Sequence, residues 1–173
     1  DTVTVTLHNT LPRPVSIVFP GQTDVLANGV ASTPQFFTPG DPTTLTSFAQ
    51  VASANGGTVT YSFVADHAGT FLYESGTDPD IQVRMGLFGA LIVRPTLGDD
   101  FAYDRADSQF TRVSQTESTG ANNDEEFMVL LSEIDPYLNQ SIENGDSKAT
   151  LTQGTKFNMS NFKPRYWLVN GRG

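Results

Sequence analysis

Strict alternation of apolar and polar residues is the strongest pattern in the first half of the chain. Two segments, residues 2–8 and 58–64, place an apolar side chain at every second position. The apolar members are Val3, Val5 and Leu7 in the first segment and Val59, Tyr61 and Phe63 in the second. Because successive side chains of an extended strand point to opposite faces, both segments are predicted to be half-buried β-strands.

Further short strands are predicted between turn signals up to Pro95. They cover residues 15–19, 44–51, 70–73 and 87–93. The last of these is almost continuously apolar, which indicates a buried strand, whereas residues 20–43 contain four prolines and read as loop. No segment before residue 95 has a helical period. Short strands separated by turn residues at this spacing are typical of an all-β sandwich or barrel.

The composition changes after Pro95. Residues 96–124 are rich in Asp, Ser, Thr and Asn, and are predicted to be a polar linker. Two strands are predicted beyond it, at 127–131 and 166–169, with a polar loop over 139–156. Two strands cannot close a sandwich, so we expect the unit formed by residues 125–173 to be the start of a second domain in a longer protein.

Charge and residue usage restrict the classes of function. The 173 residues carry a formal net charge of −9, which disfavours binding to nucleic acids and to anionic membranes. The absence of cysteine excludes disulfides, thiolate metal sites and cysteine nucleophiles. No apolar run reaches the ~18–20 residues of a transmembrane helix. A protein without nucleic-acid contacts and without a membrane span is therefore predicted.

The two histidines are interpreted as structural residues. His8 ends an alternating strand, and His67 lies in the turn Asp66–Gly69, where a hydrogen bond to Asp66 is expected. Neither is predicted to bind a metal. Met85 follows Arg84 with no histidine or cysteine nearby, and is interpreted as a core or interface residue.

Carboxylates occur in two groups that are candidates for hard cations. One comprises Glu74, Asp78 and Asp80, and the other is an acidic run at Asp99, Asp100, Asp104 and Asp107. Calcium prefers carboxylate and carbonyl oxygens, but neither spacing is that of a helix-flanked calcium loop. Solvated loops are the preferred interpretation of both groups.

Two surface features are also predicted. Phe36 and Phe37 stand in an apolar loop between prolines, which either packs on the sandwich or forms an interface with a neighbouring domain. Asn139 and Asn158 each begin an Asn-x-Ser triplet, which is the acceptor pattern for glycosylation in exported proteins.

Several stretches together resemble the multicopper oxidase family. Residues 9–17 read Asn-Thr-Leu-Pro-Arg-Pro-Val-Ser-Ile, residues 69–73 read Gly-Thr-Phe-Leu-Tyr, and residues 86–95 read Gly-Leu-Phe-Gly-Ala-Leu-Ile-Val-Arg-Pro. In register with residues 57–63, they are similar to the first cupredoxin domain of that family. Residues 126–135 and 165–171 resemble the opening strands of a second one. The resemblance implies a Greek-key β-sandwich of cupredoxin type.

The chain departs from the family at its copper ligands. Residues 18–21 read Val-Phe-Pro-Gly where the family has His-Trp-His-Gly. Residues 73–76 read Tyr-Glu-Ser-Gly where the family has Tyr-His-Ser-His. Copper sites are built chiefly from imidazole and thiolate ligands. The resemblance therefore implies four lost-ligand positions, at Val18, Pro20, Glu74 and Gly76.

These observations lead to two hypotheses. In the first, the chain is the N-terminal region of a multicopper-oxidase-like protein, itself copper-free and structural, with any copper held elsewhere in the parent protein. Its partners are then other cupredoxin domains of the same protein or of a neighbouring subunit, in the periplasm or outside the cell. The second is a non-enzymatic module that binds a protein partner or joins an extracellular assembly. A metal site formed by Glu74 with a neighbouring domain's histidines also remains open.

Overall fold

A computed structural model describes residues 1–98, 100–109, 115–116, 122–123, 128–145 and 158–173. The first nine strands are β1 (Thr2–Asn9), β2 (Ile17–Val18), β3 (Leu26–Ala27), β4 (Val30–Ala31), β5 (Gln35–Phe36), β6 (Leu45–Ser47), β7 (Gly57–Val64), β8 (Gly69–Ser75) and β9 (Phe88–Val93). The remaining four are β10 (Gln115–Thr116), β11 (Asn122–Asn123), β12 (Leu131–Ile134) and β13 (Tyr166–Val169). The α-helices are α1 (Pro79–Gln82) and α2 (Pro136–Glu143), and 3₁₀ turns lie at Pro42–Thr44, Ala106–Ser108 and Met159–Asn161.

Two antiparallel sheets form the body of residues 1–97. One has the order β1-β7-β3-β4 and the other β2-β8-β9, while β5 and β6 form a separate hairpin. The register of β1 against β7 pairs Val3 with Phe63 and Val5 with Tyr61. Since residues opposite one another share a face, the apolar sides of both long strands turn inward and their threonines turn outward. The prediction of an all-β fold of cupredoxin type is confirmed.

The core lies between these two sheets. Phe19 packs on two aromatic rings of β7, with ring centroids 4.8 Å from Phe63 and 5.8 Å from Tyr61. The buried members of this cluster are Phe19, Ala27, Ala49, Ala52, Val59, Tyr61 and Phe63. From the second sheet, Ile17, Val18 and Leu91 pack against it. Burial of these side chains, at about 25 cal/mol per Å² of apolar surface, is the main force joining the two layers.

Tyr61 links the layers by hydrogen bonds as well. Its side chain is fully buried. The hydroxyl donates to the carbonyl oxygen of Gln50 at 2.5 Å and accepts the amide N–H of Ile17 at 3.1 Å. Burial of the phenol raises the pKa of Tyr61 above its ordinary value. The neutral phenol is therefore the form that the folded protein favours.

Most strand predictions for residues 1–95 are confirmed within one or two residues, with four differences. The strand predicted at 44–51 is shorter, since β6 ends at Ser47. Residues 88–93 are only half-buried, because Ile92 on the outer side is 42% exposed. The segment 20–43, which was predicted to be loop, contains the short strands β3, β4 and β5. Each has two residues, too few to show an alternating pattern. A single helical turn, α1, follows Asp78, and it is also too short to show a helical period.

The region beyond the predicted linker differs more. β13 lies at the predicted residues, but its partner β12 begins only at Leu131, so the strand predicted at 127–131 is displaced. The predicted loop at 139–156 is wrong for residues 139–143, which belong to α2. Asp135 caps this helix by accepting the N–H of Tyr137 at 2.9 Å, and Pro136 stands at its first position. The Asp-Pro pair is a helix-start signal that the polar composition obscured.

Helix α2 packs against α1. Leu138 is fully buried beside Ile81, and Ile142, one turn later, contacts the same cluster together with Met159 and Phe162. The guanidinium of Arg84 lies 3.9 Å from the centre of the Phe162 ring. No helix in the described ranges is long and apolar enough to cross a membrane.

We predict that replacing Tyr61 with Phe lowers the free energy of unfolding by about 1–3 kcal/mol at pH 7, because the buried Gln50 carbonyl and Ile17 amide lose their partner. The pKa of Tyr61 is raised in the folded state, so its stabilising effect is complete below about pH 10 and is lost as the pH rises through the folded pKa. Urea unfolding from pH 7 to 11 measures both effects. A Phe variant that loses stability above pH 10 as steeply as the wild type would contradict the pH dependence.

A second prediction concerns Asp135, which is buried and also accepts the N–H of Lys163 at 2.8 Å. Asp135→Ala removes both hydrogen bonds and is expected to cost about 2 kcal/mol in the free energy of unfolding. Glu133→Ala, two residues earlier at an exposed position, is the matched control. Hydrogen exchange should accelerate at the amides of Tyr137 and Lys163 in the Asp135 variant only.

Candidate functional site

The structure brings the two segments with lost copper ligands side by side. β2 and β8 pair antiparallel, with Ile17 opposite Ser75 and Val18 opposite Glu74. Residues 58 and 56 positions apart in sequence thus become direct cross-strand neighbours. The lost-ligand positions Val18, Glu74 and Gly76 therefore belong to one location at the end of this sheet.

Packing at this location is tight around Gly76. This glycine is buried, and a Cβ atom added to it would lie 2.8 Å from Cγ1 of Val18 and 2.9 Å from Oγ of Ser16. Cβ of Phe48 would be 3.4 Å away. Side-chain atoms do not approach one another this closely without displacement. The side chain of Val18 therefore occupies the space into which any side chain at position 76 would project.

Three hydroxyl groups lie beneath this contact and form a buried triangle, here named the hydroxyl cluster: Ser16, Ser47 and Thr77. Oγ of Ser16 is 2.8 Å from Oγ of Ser47, and Oγ1 of Thr77 is 3.0 Å and 3.1 Å from these two atoms. All three residues are at most 6% exposed. A hydroxyl group has one donor and can also accept, so a closed triangle satisfies all three without charge or metal.

The hydroxyl cluster connects three parts of the fold. Ser16 precedes β2, Ser47 ends β6 and Thr77 follows β8, where it forms a bridge with Ser47. The amide of Phe48 also donates to the carbonyl oxygen of Gly76 at 2.9 Å. The cluster thus joins the segment before β2, the end of β6 and the segment after β8.

A buried amide extends the network toward α1. Oγ of Ser75 donates to Oε1 of Gln82 at 2.7 Å and accepts the N–H of Thr77 at 3.1 Å. Nε2 of Gln82 donates to the carbonyl oxygen of Pro14 at 3.0 Å. Each polar atom of Gln82 therefore has a partner, as a buried amide requires. Sequence reasoning missed this network, because serine, threonine and glutamine have no distinctive spacing here.

The other two lost-ligand positions face outward to different degrees. Pro20 is exposed, and the following Gly21 adopts φ +87° with the ring of Phe71 where a Cβ would stand. Glu74 is half-buried, and its carboxylate makes no hydrogen bond or ion pair with the described residues. Glu74 is thus the only one of the four lost-ligand positions whose side chain has a donor atom for a metal.

These residues do not fit the copper ions that the family resemblance implies. Valine, proline and glycine side chains have no ligand atom, and a single carboxylate is a hard ligand that cannot replace several imidazoles. Within the ranges that the structure describes, no group of three His, Cys, Asp or Glu side chains can hold a metal ion. The space at position 76 is also filled by Val18.

The histidines lie away from this location. Nδ1 of His8 is 3.1 Å from Oγ1 of Thr58, on the outer face of the first sheet. Nδ1 of His67 is 2.6 Å from a carboxylate oxygen of Asp66, with both side chains largely exposed. The predicted structural roles of both residues are therefore consistent with their contacts.

Two aspartates of the acidic run, Asp104 and Asp107, each interact with a different partner. Asp104 accepts from the hydroxyl and amide of Thr96, and this interaction holds the pKa of Asp104 below its ordinary value. Asp107 pairs with Arg105 at 2.6 Å. Asp99 lies outside the described residues.

In the other acidic group, Asp78 adopts a left-handed backbone conformation before α1, and Asp80 is exposed. Neither belongs to a metal-binding group among the described residues. Met85 is 37% exposed and lines a surface cleft together with Arg84 and residues of the β12–β13 hairpin. Its predicted interface position is consistent with this placement.

The remaining surface candidates differ in exposure. Phe36 is half-buried in β5, whereas Phe37, at the turn of the β5–β6 hairpin, is 84% exposed. Asn139 is partly buried in α2, and its Oδ1 has no hydrogen-bond partner among the described residues. Asn158 is exposed, and its side chain accepts the N–H of Ser160. Of the two glycosylation triplets, only the one at Asn158 presents its asparagine to solvent.

We predict that Thr77→Val, which keeps the shape of the side chain and removes its hydroxyl, lowers the free energy of unfolding by about 1–3 kcal/mol. Ser16 and Ser47 then lose a partner in a buried site. Thr77→Ser retains the hydroxyl and is the matched control, with a cost of about 1 kcal/mol from the lost methyl group. Equal stability of Thr77→Val and the wild type in urea would show that the triangle contributes nothing.

Comparison with known proteins identifies the family. A family model described as multicopper oxidase matches residues 1–97, which is more than half of the chain. No curated protein and no solved structure gave a match. The matched range contains β1 to β9 and thus both sheets of the sandwich. The chain belongs to the multicopper oxidase family.

Proposed function

We propose that this chain is the N-terminal region of a multicopper-oxidase-like protein, and that its first domain is copper-free and has a structural role. The observation that carries the proposal is the contact of Val18 with Gly76 at the location where the family motifs supply imidazoles. The strands that would position the ligands are retained, whereas the ligand atoms are replaced by packed apolar and hydroxyl groups. Core packing and metal binding use different residues, so one can be kept without the other.

The structural role consists in packing against other cupredoxin domains of the same protein or of a neighbouring subunit. Two exposed apolar regions support this. On the outer side of the second sheet, Leu72 and Ile92 are 43% and 42% exposed. On the β12–β13 hairpin, Leu131 and Trp167 are 70% and 69% exposed. Contiguous apolar side chains on a surface are typical of interfaces.

The β12–β13 hairpin is proposed to open a second cupredoxin-like domain. Its register places Leu131 opposite Val169 and Glu133 opposite Trp167 on one face, and this face has no cover among the described residues. A two-stranded hairpin is not stable by itself in water, so further strands are needed to complete the unit.

Any oxidation of substrate with reduction of oxygen to water would depend on copper sites elsewhere in the parent protein. We propose that such a protein acts in the periplasm or outside the cell, as the family resemblance implies. The lack of cysteine in this chain agrees with a role that does not include the electron-transfer copper, which requires a thiolate ligand.

An alternative function is that of a non-enzymatic module that binds a protein partner or joins an extracellular assembly. The observation that favours it is Phe37, which is 84% exposed directly after β5 in the β5–β6 hairpin. An aromatic side chain projecting from a hairpin is a common anchor in protein interfaces. In the parent protein, further His-x-His motifs and a His-Cys-His segment would support the oxidase, and their absence would support the binding module.

The test of the proposed function is metal analysis of the intact chain. After incubation with Cu(II) and gel filtration, we expect far less than one copper per chain, with no absorption band or electron paramagnetic resonance signal of a defined site. His8→Gln/His67→Gln is the control for loose binding to the exposed histidines. Stoichiometric copper that persists in this control would contradict the proposal.

A further inference from the structure

We infer that the location of the lost copper ligands has been rebuilt into a packed unit that excludes copper by its shape as well as by its residue types. In this unit Val18 fills the space next to Gly76, and the hydroxyl cluster replaces a metal as the connection between β2, β6 and the end of β8. The inference rests on the proposed function. It adds that the location lacks the space for larger side chains that could bind copper, as well as the ligand atoms themselves.

The first argument is steric. Gly76 has no left-handed φ, so its backbone does not require glycine. What requires glycine is the 2.8 Å approach of Cγ1 of Val18 and the 2.9 Å approach of Oγ of Ser16 to the position of a Cβ. A β-branched side chain such as that of Val18 has few rotamers and cannot easily turn away. The glycine and the valine are therefore mutually dependent.

The second argument concerns Ser16. Its hydroxyl is the nearest polar atom to the Cβ position of Gly76, and it is fixed by Ser47 at 2.8 Å and Thr77 at 3.0 Å. Moving Ser16 away to admit a larger side chain would break bonds within a buried triangle. Leaving buried hydroxyls without partners costs more than one ordinary hydrogen bond. The hydroxyl cluster thus fixes the position of Ser16 next to Gly76.

The third argument is that this unit performs the connecting role without a ligand. The pairing of Ser47 with Thr77 and the hydrogen bond from Phe48 N–H to the Gly76 carbonyl oxygen fix β6 against the end of β8. Ser75 and Gln82 continue the connection to α1. Each segment around the site is therefore already held by protein groups.

The experiment is a double-mutant cycle with thermal unfolding of the full chain. Gly76→Ala should lower Tm by roughly 3–10 °C, because a methyl group is forced into an occupied space. In Val18→Ala/Gly76→Ala the shortened side chain at 18 removes one of the two close approaches to this methyl group, and the Ser16 hydroxyl remains as the other. Gly76→Ala should therefore lower Tm less in the Val18→Ala background than in the wild type. Glu74→Ala, in the same strand pair and without partners, is the control and should shift Tm by less than about 2 °C.

Strictly additive Tm shifts in this cycle would overturn the inference, as would a Gly76→Ala variant with the Tm of the wild type. Additive shifts would mean that Val18 does not limit the space at position 76, and an unchanged Tm of Gly76→Ala would mean that position 76 has room for a methyl group. Coupling is expected instead, because residues in contact do not act independently.

Copper itself gives the second measurement. Val18→His/Gly76→His restores an imidazole pair, and we expect no rise of its Tm on adding one equivalent of Cu(II) compared with added EDTA. If Val18→His/Gly76→His fails to fold while Val18→Ala/Gly76→Ala folds, this result also supports the inference, because the larger side chains then have no space. A Tm rise of several degrees with one copper per chain in the histidine pair would overturn it. Copper uptake by the wild-type chain would instead refute the proposed function.

Discussion

The antiparallel pairing of β2 with β8 is the constraint on which the candidate site depends. It consists of only two residue pairs, yet it brings residues 17–18 next to residues 74–75 and places Gly76 against Val18. The pairing is held from the core side by Phe19 and Ile17, which pack under β7, and by the hydrogen bond from Ile17 to Tyr61. The same core packing that closes the sandwich therefore sets the geometry of the site.

The site is held together by packing and by neutral hydrogen bonds. A valine methyl group lies against a glycine, and three buried hydroxyls satisfy one another. Such a closed polar network is compatible with burial, since every donor has an acceptor.

Helices α1 and α2 connect residues 1–98 with the described residues from 128 onward. Leu138 and Ile81 form a small core of their own, and Arg84 covers the ring of Phe162. Because α1 directly follows the segment with Glu74 and Gly76, this contact adjoins the rebuilt site. The outer face of the β12–β13 hairpin stays exposed and apolar, which agrees with a role in domain assembly.

The sequence by itself determined the fold class and the long strands, and the family resemblance implied the four positions without copper ligands. Alternation in residues 2–8 and 58–64 is a direct consequence of burying one face of a strand, and the absence of imidazole at four motif positions can be read without coordinates. Only the tertiary structure decided that Val18 fills the space beside Gly76, that Ser16, Ser47 and Thr77 meet, and that residues 136–143 form a helix against Ile81. These features depend on contacts between residues that are distant in sequence, and small polar residues have no periodic pattern that reveals such contacts.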